Sequence, residues 1–319
     1  MVDQRAEWES LAFLVPRGEL GDWRMVLLYD AAVDTGMMAA LPSSPAELAA
    51  ELGIEEHGAR VVLEALALWD IVEAGPEGTY VVGPAAPGID AAAVARHHAR
   101  AIRNWSTIPG RLRGEVTSGS GADIRAVEIM LDALAVMGQQ SAPGAVDACL
   151  EQTPDARRVL DLGGGHGAFA VEFARRGLRV TMQDRPEVIE LARRKGWLAG
   201  SDVELFAGDL FTTVPDETFD LVFCAGVVYT FDRERNLALF RRVRPLVGPG
   251  GCLAVHTFLH GTDELATLFA AQMLGVPGGD SHAQGDLRDW LEQSGYGSLV
   301  SRRLERRPEW MIFASPVPA

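Results

Sequence analysis

The spacing of apolar residues divides the chain into two halves with different periodicities. Through most of the first 150 positions, apolar side chains recur every three to four residues, which predicts helices. From residue 157 onward, short apolar runs alternate with helical patterns. That alternation indicates parallel β-strands connected by helices that cover both faces of a sheet. A length of 319 residues also fits two domains.

The first half is predicted to contain a small helical module with a hairpin. Ser44 and Pro45 fit the start of a short helix, and Gly53 fits its end. Two short strands, Ile71–Glu73 and Thr79–Val82, flank a Pro-Glu-Gly turn. This helix–helix–hairpin order is typical of a winged helix. Further along the chain, residues 117–122 (TSGSGA) predict a flexible loop. The predicted helices are Glu7–Val15, Trp23–Met38, Pro45–Leu52, His57–Trp69, Ala92–Arg103, Asp123–Met137 and Ala142–Leu150.

The second half is predicted to be a parallel α/β sheet that ends in an antiparallel hairpin. Its last two strands, Gly297–Leu304 and Trp310–Ala314, are joined by residues 305–309 alone, a connection too short for a crossover helix. The other predicted strands are Arg158–Leu162, Arg179–Gln183, Val203–Ala207, Phe219–Cys224 and Cys252–Phe258. The predicted helices are Ala168–Arg176, Pro186–Lys195, Arg233–Leu246 and Gly285–Ser294.

The charge of the chain argues against nucleic acid as a partner. Its formal net charge of −15 opposes the binding of a polyanion, which needs a basic face. The helix that would read DNA, His57–Trp69, carries Arg60 among many acidic neighbours. We expect Val61, Leu66 and Leu68 to be exposed on this helix and to pack against a partner chain instead.

Other bulk features predict a protein of the cytoplasm. The three cysteines, Cys149, Cys224 and Cys252, are far apart and form no CxxC pair, which argues against disulfides and a structural zinc site. No apolar run is long enough to cross a membrane. The first residues lack the basic and apolar segments of a signal peptide, so we expect a soluble, intracellular protein with no membrane partner.

A glycine-rich loop after the first predicted parallel strand is the strongest chemical signal. The sequence Asp161-Leu-Gly163-Gly-Gly165-His-Gly167 leaves an apolar strand and enters a helix. Glycines allow a tight turn and a close approach of the backbone to a ligand, and the helix start offers free N–H groups. The spacing Gly163-x-Gly165-x-x-Ala168 also fits a dinucleotide-binding loop, so the loop alone does not decide the ligand.

Two carboxylates at the ends of the next strands extend this predicted nucleoside site. Asp184 ends the second strand, where it can accept hydrogen bonds from both ribose hydroxyls. Asp209 ends the third strand, where it can accept from an adenine amine while Leu210 packs on the ring. The carboxyl ends of parallel strands are where open α/β sheets bind ligands.

On these motifs the sequence resembles the class I S-adenosylmethionine-dependent methyltransferases. The D-x-G-x-G-x-G loop, the acid after the second strand, the GD-x-F step and the terminal hairpin carry the resemblance. With the winged helix, the whole chain is similar to the O-methyltransferases of plant phenolic and bacterial polyketide metabolism. The resemblance implies an α/β fold with a Rossmann-like seven-stranded sheet. It also implies S-adenosyl-L-methionine as cofactor and S-adenosyl-L-homocysteine as product.

The resemblance also implies a domain organisation and a set of cofactor-binding residues. Residues 1–90 would form a winged-helix domain that makes a homodimer, residues 91–150 a helical linker to the substrate pocket, and residues 151–319 the cofactor-binding domain. The residues implied to bind the cofactor are Gly163, Gly165, Asp184, Arg185, Asp209, Leu210 and Phe211.

The position of the general base departs from that family. A phenolic acceptor gains from a base, which in the resembling family is a histidine in a His-Asp-Trp step after the fourth strand. Here the step reads Tyr229-Thr230-Phe231. A neutral tyrosine, with a pKa near ~10, is a poor base at pH 7. We therefore predict Tyr229, His256 and His282 as catalytic candidates, because imidazole has a pKa near neutrality.

The remaining histidines leave alternatives open. His97 and His98 lie on a predicted linker helix, and His260 follows the fifth strand. His166 lies within the glycine loop and is interpreted as a loop residue. Some of these histidines together with Asp280 could bind a metal, but no metal-binding spacing is present and no metal ligand is predicted.

Together these features predict methyl transfer to a small acceptor, most simply to oxygen of an aromatic or polyketide-like metabolite. The alternatives are transfer to carbon of an enol or keto acid, with or without a metal, and chemistry without methyl transfer, such as decarboxylation, hydroxylation or cyclisation. An NAD(P)-dependent oxidoreductase and a ligand-sensing regulator are weaker alternatives. We expect an apolar pocket, with candidate lining residues Trp105, Ile108, Met130, Met137, Phe269 and Met273.

Overall fold

The computed structural model describes residues 22–115, 124–276, 278–305 and 307–317. The chain divides into two compact units, residues 1–105 and 106–319. The predicted helix at residues 7–15 and the predicted loop at 117–122 lie outside the described residues. The predicted three-part organisation, with boundaries at 90 and 150, stays a prediction.

In the first unit, the predicted order of two helices and a hairpin is present. Strands β1 and β2 pair antiparallel, with Val72 opposite Val82. The Ser44 side chain accepts a hydrogen bond from the Glu47 N–H, and the Glu47 carboxylate accepts one from the Ser44 N–H at 2.8 Å. These reciprocal bonds fix the start of α2. The elements are α1 Trp23–Asp34, α2 Pro45–Leu52, α3 Glu56–Ala67, β1 Val72–Ala74, β2 Tyr80–Val82 and α4 Ile89–Trp105.

Two predictions for this unit need correction. The first helix ends at Asp34 rather than at Met38, and the chain turns through Gly36 at a φ of +87°. Leu66, expected on the exposed face of α3, is fully buried, because it shares the inner face of that helix with Leu63. Val61 and Leu68 are exposed as expected, at 47% and 79%.

A buried carboxylate connects α1 to α4. The Asp30 side chain is 8% exposed. It accepts a hydrogen bond from Arg96 Nε at 3.2 Å and another from Arg103 Nη1 at 2.7 Å. Arg96 also donates to Asp34, whose side chain is 48% exposed. The two helices are therefore held together by a charged network with one buried member.

Asp30→Asn should destabilise the first unit. The amide keeps the shape but loses the charge that two guanidinium groups approach, so the free energy of unfolding should fall by about 2 kcal/mol. Urea denaturation followed by tryptophan fluorescence measures this change. Asp34→Asn, on the exposed partner of the same network, should change stability by less than about 0.5 kcal/mol. Equal losses in both variants would contradict this account of the network.

The second unit contains the predicted seven-stranded sheet. The strand order is β5-β4-β3-β6-β7-β9-β8, in which β3 to β7 are parallel and β9 is antiparallel to β7. Strands β8 and β9 form the predicted terminal hairpin. The elements are α5 Ile108–Leu112, α6 Ile124–Gln152, β3 Arg158–Leu162, α7 Ala168–Arg175, β4 Arg179–Asp184, α8 Pro186–Lys195, β5 Glu204–Ala207, β6 Phe219–Ala225, α9 Arg233–Val243, β7 Val247–Thr257, α10 Glu264–Leu274, α11 Gln284–Gln293, β8 Tyr296–Arg303 and β9 Trp310–Pro316.

Alternating residues of each central strand feed two separate cores. On one face, Val222 and Val255 pack with residues of α9 and α11, including Phe240. On the other face, Phe223 and Ala254 pack with residues of α6, α7 and α8. Strands β3, β4 and β5 are added in turn towards one edge of the sheet, and the chain then returns to place β6 beside β3 on the other side. This reversal opens a crevice at the carboxyl ends of the strands, where ligands bind in such sheets.

The long helix α6 corrects a further prediction. The sequence predicted two helices separated near residue 140, but one helix runs from Ile124 to Gln152 with Pro143 inside it. Proline removes one backbone hydrogen bond and normally ends or kinks a helix. Here Ala142 and Val146 flank the proline and are buried in the core of the second unit. Burial on both sides of Pro143 therefore outweighs the lost hydrogen bond.

Within the described residues, no helix combines the length and the apolar character needed to cross a membrane.

Candidate active site

The glycine loop follows β3 and rests on the neighbouring strand. The N–H groups of Gly163 and Gly164 donate to the backbone oxygen of Gln183 at 2.9 and 3.1 Å. Gly163 and Gly165 have φ angles of +73° and +54°, which favour glycine. A Cβ on Gly163 would lie 2.8 Å from Val227 Cγ2. The loop therefore forms a cradle of bare backbone at the reversal point of the sheet.

Asp184 ties this loop to the end of β4. Its Oδ2 accepts a hydrogen bond from the Gly165 N–H at 2.8 Å, and its Oδ1 accepts one from the Arg185 N–H at 2.7 Å. Burial raises the pKa of Asp184, and the two N–H donors oppose that rise. A carboxylate has about four lone-pair sites, so this side chain retains acceptor capacity for a ligand.

A second carboxylate, Asp161, lies on β3 beneath the loop. Its side chain is 1% exposed, and its Oδ2 has no hydrogen-bond partner within the described part of the chain. Burial, with a smaller contribution from the charge of Asp184, raises the pKa of Asp161 to about 7. Asp161 belongs to the glycine motif but was not among the predicted site residues.

The predicted adenine-binding residues lie at the end of β5. Asp209 is exposed, and its Oδ1 accepts a hydrogen bond from the Phe211 N–H at 2.8 Å. Leu210 lies beside the glycine cradle, with its Cδ1 3.9 Å from the Cβ position of Gly163. Phe211 packs edge-on against Phe231, with ring centroids 5.1 Å apart.

The backbone joins these residues into one edge. The Gly208 N–H donates to the Asp184 backbone oxygen at 2.9 Å, so the ends of β4 and β5 are held together. The Arg185 side chain forms an ion pair with Glu187 at 2.9 Å, while its N–H contacts Asp184. The structure thus brings the seven predicted cofactor residues to the carboxyl ends of β3, β4 and β5, although their individual roles stay predictions.

These residues fit an adenosyl sulfonium. A carboxylate at the end of β4 suits two ribose hydroxyls, and an exposed carboxylate at the end of β5 suits an adenine amine. There is space beside the glycine cradle. A Cβ on Gly163 would fill part of that space and clash with Val227. The donor and acceptor set at this edge therefore fits S-adenosylmethionine.

Tyr229 lies in a short 3-10 helix, residues 228–230, that directly follows β6. The Asn236 side chain donates to the backbone oxygens of Val228 and Phe231, each at 2.9 Å. The Asp280 N–H donates to the Tyr229 backbone oxygen at 2.9 Å. Burial raises the pKa of the Tyr229 hydroxyl well above its usual range, so this side chain stays protonated at neutral pH.

His282 also holds this turn. The side chain is buried, and its Nε2 lies 3.2 Å from the Val228 oxygen and 2.9 Å from the Phe231 oxygen. The Asn236 Nδ2 lies 3.2 Å from the same nitrogen, so His282, Asn236 and the two backbone oxygens form one buried polar cluster around the turn. The ring also packs edge-on against Trp290. The catalytic role predicted for His282 is untested, and the geometry favours a role in positioning the Tyr229 turn.

His256 lies at the end of β7, on the face that packs against α7. The ring is buried between Phe169 and Phe223, with centroid distances of 5.4 and 6.5 Å. Burial lowers the pKa of His256 to about 4. Its Nε2 has no hydrogen-bond partner among the residues that the structure describes. Of the three predicted catalytic candidates, His256 is therefore the one with an unused buried nitrogen.

The other histidines differ in their surroundings. His260 is exposed, and its N–H donates to the backbone oxygen of His282. His166 accepts a hydrogen bond at Nδ1 from the Ala168 N–H at 3.1 Å, and its ring occupies the space beside Gly138 of α6. Burial lowers the pKa of His166 to about 4. His166 therefore braces the glycine loop against α6, consistent with its interpretation as a loop residue.

Three aromatic rings pack together after the ends of β6 and β7. The ring centroids of Tyr229 and Phe269 are 4.8 Å apart and perpendicular, and those of Phe258 and Phe269 are 4.1 Å apart and stacked. The sequence indicated Phe269 as a pocket residue but missed Phe258 because it was assigned to the end of a strand. Met273 is buried on the same helix, α10.

Two further sequence expectations concern cysteine and metal chemistry. Cys149, Cys224 and Cys252 are buried and unbridged, and burial raises the pKa of each thiol. In the part of the chain that the structure describes, no group of three or more His, Cys, Asp or Glu residues is placed to hold a metal ion.

Several known proteins are similar to this chain in sequence. A family model described as a methyltransferase domain matches residues 159–251, which run from β3 into β7. The tetracenomycin polyketide synthesis 8-O-methyl transferase TcmO of Streptomyces glaucescens is 28% identical over 82% of this chain and 83% of its own length. The 3-hydroxy-5-methyl-1-naphthoate 3-O-methyltransferase of Streptomyces sahachiroi is 26% identical over 50% of this chain, an alignment that spans about half (46%) of that relative.

Solved structures show the same fold. The mitomycin 7-O-methyltransferase MmcR superposes with a TM-score of 0.72 over 92% of this chain and 94% of that chain, at 24% identity. Human N-acetylserotonin methyltransferase in complex with S-adenosylmethionine superposes with a TM-score of 0.66 over 92% of this chain and 94% of that chain, at 18% identity. Together, these matches show that residues 159–251 form a methyltransferase domain and that the chain has the fold of these solved methyltransferases.

Asp184→Asn should weaken the binding of S-adenosylhomocysteine. Replacing the carboxylate removes charge-assisted hydrogen bonds to the ribose, so we expect a loss of affinity of about 10-fold or more in calorimetric titration. Asp220→Asn is the matched control, because Asp220 also accepts two backbone N–H groups, those of Arg157 and Arg158, but at the start of β3. Equal affinities in the two variants would contradict the ribose-binding role of Asp184.

Asp161→Asn should remove a pH dependence of folding stability. The folded protein retains on Asp161, up to a pKa of about 7, a proton that the unfolded chain releases near the ordinary aspartate pKa of 3.8. The free energy of unfolding of the wild type should therefore fall as the pH rises from about 4 to about 7. The variant lacks this proton, so its stability relative to wild type should rise over that window. Urea denaturation at several pH values tests this, and a constant difference between the two proteins would contradict it.

Proposed function

We propose that the protein transfers the methyl group of S-adenosylmethionine to a hydroxyl oxygen of a small aromatic, polyketide-like metabolite. The carrying observation is the aromatic cluster of Tyr229, Phe258 and Phe269, which follows the carboxyl ends of β6 and β7 in the sheet that carries the glycine loop. Aromatic side chains pack favourably against the faces and edges of aromatic ligands. The names of the relatives, which act on a naphthoate and in tetracenomycin synthesis, support the same class of acceptor.

In this proposal the glycine loop and two carboxylates hold the cofactor. Asp184 binds the ribose hydroxyls, Asp209 and Leu210 bind the adenine, and Gly163 and Gly165 present bare backbone to the remainder. Bound S-adenosylmethionine supplies an electrophilic methyl group on a sulfonium. The protein then has to hold the acceptor oxygen in line with that methyl group at close range, which lowers the barrier substantially.

Tyr229 acts here as a hydrogen-bond donor rather than as a base. Its raised pKa keeps the hydroxyl protonated, so it can donate to an oxygen of the acceptor molecule. Asn236 and His282 fix the turn that presents it, and fixed donors stabilise developing charge without reorganisation. A tyrosine in this position is also the observation that favours the alternative of carbon methylation, in which the donor would hold an enol or keto oxygen.

Two expectations about the whole protein stay proposals. We infer that the first unit forms a homodimer, because Val61 on α3 and Leu68 just after it expose apolar surface. The acidic residues around Arg60 on this helix argue against a DNA-reading face. We also keep the cytoplasmic location that the sequence favours.

Product analysis with hydroxynaphthoates and hydroxyanthraquinones tests the proposed reaction. The wild-type protein with S-adenosylmethionine should give products heavier by one methylene group, with the new methyl carbon bonded to oxygen in NMR spectra. Products methylated at carbon would favour the alternative reaction. An acceptor panel that yields no methylated product with wild-type protein would contradict the proposal.

Substitution of Tyr229 tests its role as a donor. Tyr229→Phe should lower kcat by about 10-fold or more, because one preorganised donor is lost, while the affinity for S-adenosylhomocysteine stays the same. Tyr229→His should add to the pH profile of kcat a group with a pKa near ~6.5. A Tyr229→Phe variant with wild-type turnover would contradict the role of the hydroxyl.

A further inference from the structure

Glu309 is a buried carboxylate that the proposed function does not yet use. It immediately precedes β9 and is 9% exposed. Its backbone oxygen accepts a hydrogen bond from the Leu304 N–H at 3.0 Å. Arg307 approaches the carboxylate with both arms of its guanidinium group, with Nε 3.3 Å from Oε2 and Nη2 3.2 Å from Oε1. The side chain of Glu309 is therefore held in one orientation at the tip of the terminal hairpin.

The register of the sheet places Glu309 on the same face as His256. His256 pairs with Met311, and Thr257 pairs with Trp310, in the antiparallel ladder of β7 and β9. Side chains alternate between faces, so Glu309 points to the same side as Met311 and His256. Residues in this diagonal relation are within reach of each other when their side chains are long.

The electrostatics of the site agree with this placement. The charge of Glu309 raises the pKa of His256, and the charge of Arg307 lowers it, although burial outweighs both. The charge of Glu309 also raises the pKa of Tyr229. Glu309 is thus close enough to act on two of the three predicted catalytic side chains, which lie at the ends of β6 and β7.

His256 itself indicates a missing partner. A buried polar atom without a hydrogen bond is unfavourable, and Nε2 of His256 has no partner among the described residues. The ring packs against Phe169, in the first turn of the helix that starts at the glycine loop. A ligand hydroxyl next to the bound cofactor would supply that hydrogen bond.

We propose that His256, with Glu309 as its acidic partner, receives the proton of the acceptor hydroxyl, an inference that rests on the proposed methyl transfer to oxygen. In this step an oxygen electron pair forms the new carbon–oxygen bond, and the bond between sulfur and the methyl carbon breaks with its electron pair left on sulfur. The hydroxyl proton passes to Nε2 of His256 and later to solvent. Glu309 is a positioning residue in this scheme, and Arg307 holds it in place.

Two chemical arguments support the division of roles. When the oxygen forms its third bond, to the methyl carbon, it becomes positively charged and its proton becomes strongly acidic, so an imidazole of low basicity can still receive it. The imidazolium formed in this way is buried, and a buried charge without a counter-ion is costly. The carboxylate of Glu309 supplies that counter-ion.

Glu309→Gln and Glu309→Asp test the inference, with Glu151→Gln as the matched control. Glu151 also pairs with an arginine of the terminal hairpin, with its Oε2 2.5 Å from Arg302 Nη1, but on the exposed surface of α6. Two readouts are measured: kcat and KM with a hydroxyaromatic acceptor, and the pKa of His256 by NMR titration of the protein with S-adenosylhomocysteine. The second readout needs no turnover.

Glu309→Gln should lower kcat by about 10-fold or more, with KM for S-adenosylmethionine within about 2-fold of wild type. It should also lower the pKa of His256 further. Glu309→Asp should restore part of both, and Glu151→Gln should match wild type. Two results would overturn this inference but not the proposed function. One is oxygen methylation by Glu309→Gln at the wild-type rate, and the other is a His256 pKa that the substitution does not lower. Absence of any oxygen-methylated product from the wild type overturns the proposed function as well.

Discussion

The hydrogen bond between the Gly165 N–H and the Asp184 carboxylate is the contact on which the site depends. It joins a loop that leaves β3 to a side chain that ends β4, at 2.8 Å. Without side chains at Gly163 and Gly165 the loop can turn at positive φ and still lie against its neighbours. In the proposed function the same carboxylate both shapes the cradle and binds the ribose, so binding and local folding would share one group.

Much of the second unit could be predicted from its sequence, because buried parallel strands read as short apolar runs between helices. The bounds of β3 and α8 were predicted without error, and the hairpin followed from a five-residue connection, residues 305–309. The predictions failed where tertiary packing overrode local rules. Pro143 is tolerated inside α6 because the residues around it are buried. Leu66 was predicted to be exposed, but it is buried because it shares the inner face of α3 with Leu63.

The site residues also fall into two groups: those that local motifs predict and those that only the fold brings together. Gly163, Asp184 and Asp209 lie in local motifs at strand ends, so the sequence could predict that they meet at one edge of the sheet. The contact of His282 with Val228 spans 54 residues of sequence and depends on how two loops meet. Glu309 carries no motif, and only the register of β9 against β7 places it on the face of His256. Groups brought together by such long-range packing have no signal in a single sequence.

The central claim is that the crevice at the carboxyl ends of β3, β4 and β5 holds an adenosyl sulfonium. A crystal structure of the protein with S-adenosylhomocysteine tests it most directly. The account predicts ribose hydroxyls within hydrogen-bond distance of the Asp184 carboxylate, and the adenine beside Leu210 with its amine towards Asp209. A nucleoside bound elsewhere, with the glycine loop facing solvent, would contradict it.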